Sequence, residues 1–347
     1  MTMPLLQTPI GIREADLGCE SDAIEAFVGA TPGSTPFHLP AWSRAVARGC
    51  GQRARYLVAE RADGAVAGVL PLTEIRSALF GRALVSAGFA VDGGVLGDAV
   101  EPLASGAWAL AERLGCPDVE LRGGAAPESW AIDVTTYLGF ARPLARDDGA
   151  ELLAIPRKQR AEVRRALGFD LEVATGTSPA LLAEHYRVYA ESVRNLGTPV
   201  FPRALFRAVM GTMDADVLTV RHQGRAIASV FSLYHGGTVY PYWGGGTAAA
   251  RAWRANDRMY FELMRHARAR GCTRFDFGRS KAGTGAAAFK KNWGFTPEPL
   301  RYAHKSAGAT RSVDPRDPKY AAMVAAWKRL PLPIANLAGP WLSRGLG

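Results

Sequence analysis

The chain is poor in the residues that staple or metallate small proteins. Its 347 residues include four cysteines, Cys19, Cys50, Cys116 and Cys272, scattered without a Cys-x-x-Cys pair. That spacing excludes a disulfide framework and a zinc ribbon, and it points to a reducing cytoplasm. Six histidines show no Ser-His-Asp order and no Cys-His pairing, so no covalent nucleophile is expected. No apolar run reaches the ~18 residues of a membrane span. The first ten residues lack a basic segment followed by an apolar one, so no secretory leader is expected. Acidic residues are also scarce: 32 Asp and Glu against 42 Lys and Arg give a net charge of +10. Such a surface favours anionic partners, whether nucleic acid, phosphorylated substrate or acidic lipid, without choosing among them. No nucleic-acid-binding module signature accompanies it.

What is present suffices for two globular domains. Hydrophobic residues make up 48 % of the chain, and its length suits two cores or one large one. The first half reads as strand 10–14, helices near 23–28 and 40–48, a hairpin of 56–60 and 66–75 turning at Asp63-Gly64, and strand 83–86. Helix 102–114, strand 119–121, helix 127–138 and strand 151–155 complete it. The second half repeats the order: strand 169–174, helices from Ser178-Pro179 and from Pro202, hairpin 217–221 and 226–235, strand 238–243, helix 254–270, strand 275–277, a helix, and strand 300–305. Leu114-Gly115-Cys116 leading to Val119-Glu120-Leu121 is echoed by Arg270-Gly271-Cys272 leading to Phe275-Asp276-Phe277. Such echoes recur at offsets of 156 to 163 residues, which indicates duplicated domains.

The stretch 275–295 concentrates the chemistry. Phe275 and Phe277 alternate with Asp276 as in a half-buried strand. Gly278, Gly283 and Gly285 allow close backbone approach, and Thr284 can cap a helix carrying Phe289, Lys290 and Lys291. The amides at that helix start, with Arg279 and Lys281 beside them, suit a phosphate or carboxylate. The same residues also describe a structural strand-turn-helix corner with solvated lysines. Between the halves, five of the nine residues 157–165 are basic, and Arg157, Arg160 and Arg164 would share a helical face.

The run Phe275-Asp276-Phe277-Gly278-Arg279-Ser280, its Gly-rich turn and Phe289-Lys290-Lys291-Asn292-Trp293-Gly294-Phe295 resemble the matching segment of FemAB-like transferases, especially those of exosortase/PEP-CTERM and exopolysaccharide loci. The CelD-type acetyltransferases of polysaccharide loci share a looser form. The resemblance implies an α/β fold of two tandem GNAT-like (acyl-CoA N-acyltransferase-like) domains, with mixed sheets flanked by helices. It implies transfer of an acyl or aminoacyl group to an amine on a cell-envelope or exopolysaccharide precursor, with acyl-CoA or aminoacyl-tRNA as co-substrate. No tightly bound cofactor and no metal are expected. The division expected is 1–155, a basic linker helix 156–168, an active domain 169–306 and an arm 307–347. A plain acyl-CoA-dependent N-acetyltransferase, or a non-catalytic protein binding a saccharide or lipid carrier at the membrane, are the rival readings.

In such folds the donor carbonyl meets a backbone N–H of an interrupted central strand. Here Pro241 interrupts the strand, so the amides of Tyr242, Trp243 and Gly244 are expected at the carbonyl. The two aromatics would be pocket walls or core. Asp276 is the candidate base, or else a structural carboxylate. Arg251, Arg254, Arg279, Lys281, Lys290, Lys291, Arg160 and Arg164 are the candidate donor or phosphate ligands, the lysines being taken as exposed and charged. CoA-using relatives carry Gln/Arg-x-x-Gly-x-Gly/Ala after this strand. Here Arg254 and Asn256 replace the small residues, which argues against CoA and leaves RNA phosphates open. In the tail, the apolar face of helix 319–330, followed by Pro331, Trp341 and nearby basic residues, reads as a packed arm or as a peripheral membrane contact through 319–347.

Overall fold

Two β-sheets, each built around a hairpin, organise the chain. The computed structural model describes residues 10–77, 81–308 and 318–345, so the first ten residues, where no secretory leader is expected, lie almost wholly outside the described residues. The chain divides into two compact units. Among the described residues, one holds 10–77, 81–133, 301–308 and 345; the other holds 134–300 and 318–344.

The first unit begins with β1 (Gly11–Glu14), α1 (Ser21–Ala30), α2 (Pro40–Cys50), β2 (Arg53–Glu60), β3 (Val66–Ser77), β4 (Gly81–Ser86) and β5 (Leu96–Gly97). It continues through α3 (Val100–Leu114), β6 (Asp118–Arg122) and β7 (Ala131–Asp133). The second unit comprises β8 (Tyr137–Pro143), α4 (Asp148–Ala154), α5 (Arg157–Leu167), β9 (Glu172–Gly176), α6 (Pro179–Leu196), α7 (Arg203–Thr212), β10 (Ala215–His222), β11 (Arg225–His235) and β12 (Thr238–Gly246). Then come α8 (Ala255–Ala269), β13 (Arg274–Lys281), α9 (Gly285–Asn292) and β14 (Pro297–Pro299). The chain next gives β15 (Tyr302–Ser306) to the first unit and returns for α10 (Pro318–Arg329) and α11 (Leu332–Ser343).

The first sheet runs β1-β2-β3-β4-β6-β15-β7, with β5 on β3; the second runs β14-β8-β13-β12-β11-β10-β9. The hairpin of β10 and β11 turns at Gln223-Gly224, both left-handed (φ 51° and 69°), as a two-residue turn compatible with strand twist requires. The core of the second unit gathers Leu218, Val230, Val239, Met259, Leu263, Phe275 and Trp293, all fully buried, between the sheet and α8 and α9.

Three local readings change. The helix expected at 127–138 is instead β7 and β8, whose partners β15 and β13 lie far along the chain. The strand expected at 151–155 is α4, opened by Asp147, whose carboxylate accepts from the Ala150 amide at 2.8 Å. The sheets therefore exchange strands. Residues 134–155 sit with the second unit rather than the first, and residues 301–306 with the first rather than the second. Pairing across such distances leaves no local trace in the sequence.

In the first unit Glu74 is fully buried on β3 and meets Arg76 at 2.5 Å, Arg82 at 3.2 Å and Arg55 at 3.3 Å. Burial pushes its carboxyl up, but the guanidinium hydrogen bonds outweigh that and hold it below the ordinary 4.5. A depressed folded-state value contributes stability that is present above the unfolded value and lost as pH falls through the folded one. Glu74→Gln should therefore flatten the acid limb of the stability profile, read by thermal melts between about pH 2 and 5.

Candidate active site

Parallel strands β12 and β13 pair only at Thr238↔Arg274 and Val239↔Phe275, then part. On the other edge of β12 the register to β11 slips between Phe231 and Ser232, facing Trp243 and Pro241, so Tyr242 is the extra residue of a bulge. Pro241, with no N–H to give the ladder, sits at that slip. Beyond it, three glycines follow for packing reasons. A Cβ on Gly245 would stand 2.2 Å from Ser192 Oγ, and one on Gly246 2.7 Å from Asn256 Oδ1. Gly245→Ala should lower the stability of this unit by about 1–3 kcal/mol. Chemical denaturation should show the loss relieved when Ser192→Gly is added.

The third glycine admits a residue that the sequence reading missed. A Cβ on Gly244 would lie 3.2 Å from the hydroxyl of Tyr260, on α8. The Tyr260 ring packs against Phe277 of β13 at 4.7 Å and Phe289 of α9 at 5.7 Å, so this side chain reaches across the space where β12 and β13 part. Burial pushes its phenol up. The available signal was Tyr260 lying one turn beyond Asp257 on the helix expected from 254. Asp257 is itself buried, accepts from Gln159 Nε2 at 2.6 Å, and is raised to about 6 chiefly by burial.

The other wall is the stretch the sequence singled out. In β13 the register to β8 slips between Asp276 and Arg279, and Gly278 takes φ 67° in the bulge. A side chain there would be strained, so glycine is required. One Asp276 oxygen accepts the Gly278 amide at 2.8 Å, which ties down the bulge. Burial raises this carboxyl; the Gly278 hydrogen bond, Arg274 and Lys290 offset part of that. The exposed carbonyls of the bulge are then gathered by Lys290, whose Nζ donates to Gly278 O at 3.1 Å and Arg279 O at 2.8 Å. The same amine lies 5.4 Å and 5.5 Å from the Phe140 and Phe277 ring centres. Burial lowers its pKa to about 7 against the pull of Asp276. The expectation of an exposed, permanently charged Lys290 therefore fails, because α9 turns it inward while Lys291 stays exposed. Thr284 caps α9, its hydroxyl accepting from Ala287 N at 3.4 Å.

The remaining candidates are dispersed. Trp243 is buried against Phe206 at 4.6 Å and Phe231 at 5.2 Å, a core ring rather than a pocket wall, while Tyr242 is half-buried. Arg279 and Lys281 lie over the Tyr137 ring at 4.6 Å and 5.8 Å. Arg160 is half-buried and donates to Ile155 O and Leu153 O at the end of α4, whereas Arg157 and Arg164 are exposed. Arg251 is exposed before α8. Arg254 has φ 50° and turns its guanidinium away to Glu162 at 2.9 Å. The backbone there keeps a glycine-like left-handed conformation even though the residue is arginine, and α8 begins immediately after it. First-turn amides of a helix have no carbonyl within the helix and suit an anion.

In the first unit β4 and β6 likewise pair in parallel at only two positions, Leu84↔Val119 and Val85↔Glu120. There the buried Arg122 bonds Glu120 at 2.5 Å and Ala90 O at 3.0 Å, and no lysine takes the place of Lys290.

Residues 155–291 match the family model described as an acetyltransferase (GNAT) domain. Among solved structures, FemX superposes with a TM-score of 0.64 at 15 % identity, over 84 % of this chain and 96 % of its own. The C-terminal domain of a putative lysylphosphatidylglycerol synthetase from Agrobacterium fabrum gives 0.56 at 13 %, over 90 % and 95 %. A tandem GNAT protein from the clavulanic acid biosynthesis pathway gives 0.54 at 12 %, over 87 % and 100 %. A search of curated proteins finds no match. The fold is α/β, two GNAT-like domains in tandem.

Proposed function

We propose that this tandem GNAT-like protein, whose second unit carries the acetyltransferase domain match, transfers an acyl group from a phosphate-bearing carrier to an amine. The observation that carries the reading is the parting of β12 and β13 beside Tyr260, with Lys290 held on the bulge of β13. An acyl carbonyl laid in that gap lies along the bulged backbone of Tyr242 to Gly244, where an N–H can polarise it. The carrier's phosphates run to the start of α8, beside Arg251. The acceptor ammonium must lose a proton before it attacks. Lys290 takes it: as a neutral amine it donates both hydrogens to the carbonyls of Gly278 and Arg279 and has its lone pair free, and a value near 7 suits a base at neutral pH. Asp276 positions the bulge that positions Lys290. The amine attacks the acyl carbon, Tyr260 gives its hydroxyl proton to the carrier as the bond to it breaks, and the remaining excess proton of the nitrogen restores the phenol.

The left-handed backbone at Arg254 favours an acyl-CoA donor, since the position that is glycine in the CoA-binding pattern keeps a conformation that glycine adopts readily. The net charge of +10 favours the second reading, an aminoacyl-tRNA donor. The acceptor class is an amine on an envelope or exopolysaccharide precursor. A cavity of about 630 Å³ lined by Arg187, Arg225, Glu191 and Asn336 with Val188 and Leu332 suits a part of that acceptor with both polar and apolar groups. Calorimetry with acetyl-CoA and then with charged tRNA tests the donor. Saturable acetyl-CoA binding, with thiol release when an amine acceptor is added, is the expected result; binding of charged tRNA alone selects the second reading, and binding of neither overturns both.

A further inference from the structure

The arm at the end of the chain is apolar on its outer side. α11 docks on the second unit through small residues four apart: Ala335, Gly339 and Ser343 are buried. A Cβ on Gly339 would lie 3.0 Å from Val200 N, and Ser343 Oγ donates to Val200 O at 2.9 Å. The large side chains point the other way. Ile334, Leu337 and Trp341, three and four apart, are 52 %, 84 % and 54 % exposed. Met323 on α10 is exposed too. So is Leu196, next to the Gly197 that abuts Val324. Five of the seven large apolar side chains exposed among the described residues thus lie on α10, α11 and the end of α6, the helix on which both pack. Of the apolar face that the sequence places on α10 (Tyr320, Met323, Val324 and Trp327), Val324 and Trp327 are half-buried as a packed arm requires, Met323 is not, and the Tyr320 side chain lies outside the described residues.

The arm's own charges have one sign. Residues 318–347 contain Lys319, Lys328, Arg329 and Arg344 and no Asp or Glu. A second copy docking symmetrically here would bring these cations together without a carboxylate from either arm. An anionic bilayer surface offers the complement to both features. Its headgroups meet the basic residues, while Leu, Ile, Met and Trp enter the interfacial region that suits them. Among the described residues no helix is long and apolar enough to cross a membrane, and α11 with 12 residues would lie in the plane.

We infer that α10 and α11 form a peripheral docking surface for an anionic membrane, holding the second unit at the bilayer. The inference stands independently of the acyl-transfer reading. The test is co-sedimentation of the full chain with vesicles of phosphatidylcholine alone and with about 30 % phosphatidylglycerol. Binding to the anionic vesicles only is expected, weakened by salt and by Lys328→Glu with Arg329→Glu. Leu337→Asp with Trp341→Asp should weaken it at least about tenfold with an unchanged thermal melt, since both side chains are solvent-facing. Absence of wild-type binding to anionic vesicles overturns the proposal. So does binding that ignores the Leu337 and Trp341 substitutions, or light scattering that shows a dimer which those substitutions dissociate.

Discussion

Replacing Lys290 by methionine is expected to reduce kcat about 10²- to 10⁴-fold while donor affinity stays within about threefold, because the amine acts on the proton of the acceptor and not on the carrier. Three readouts separate this role from a structural one. In the wild type, kcat/KM should rise with pH through an inflection near 7, the value to which burial lowers Lys290, since the neutral amine is the active form. Lys290→Met should remove that inflection. Lys290→Arg should be nearly as slow, because a guanidinium cannot accept a proton; substantial rescue by arginine, or a rate falling through the same pH, would instead make the ammonium a carbonyl polariser. Asp276→Asn should keep the bond to Gly278 N and retain the fold. Removing its charge takes away the attraction that favours the Lys290 ammonium, so the inflection should move to lower pH. An unshifted inflection would mean that the two groups do not interact.

The second large effect lies away from the chemistry. Glu151→Ala should lower the stability of the second unit by about 3–5 kcal/mol, roughly 6–20 °C in melting temperature for a unit of this size. Glu151 is fully buried on α4 and holds Arg142 of β8 at 2.5 Å, Arg268 of α8 at 3.4 Å and the Ala145 amide at 2.9 Å. Its removal leaves the largely buried Arg142 without a carboxylate, while Arg268 keeps only its ion pair with Asp148. A double-mutant cycle with Arg142→Ala, followed by urea denaturation, measures the coupling. Additive losses would show that the pair contributes nothing beyond its separate contacts.

Glu151 also marks where sequence reading stopped. The run Glu-Leu-Leu-Ala-Ile is short and apolar enough to suit either a strand or a helix, and the decision came from the Asp147 cap and from Arg142 and Arg268. Likewise, nothing local in 127–143 shows that its strands serve two different sheets. Turns and caps fared better, because their causes lie within a few residues: Gln223-Gly224, Thr284 before α9 and Pro179 at the start of α6 all act where the sequence puts them.

The amino-acid order by itself determined the duplicated plan, the two hairpins, the interruption at Pro241 and the strand, turn and helix of 275–292, since each rests on periodicity, turn chemistry or repetition within one stretch. Tertiary structure alone decided which charged groups face inward. Lys290 and Lys291 are neighbours with the same side chain, yet α9 buries the first amine against Phe140 and Phe277 and leaves the second exposed. Tyr260 meets Gly244 only because α8 packs across the parting strands. Proton affinity and reach depend on what surrounds an atom in space, and those surroundings come from segments far apart in the chain.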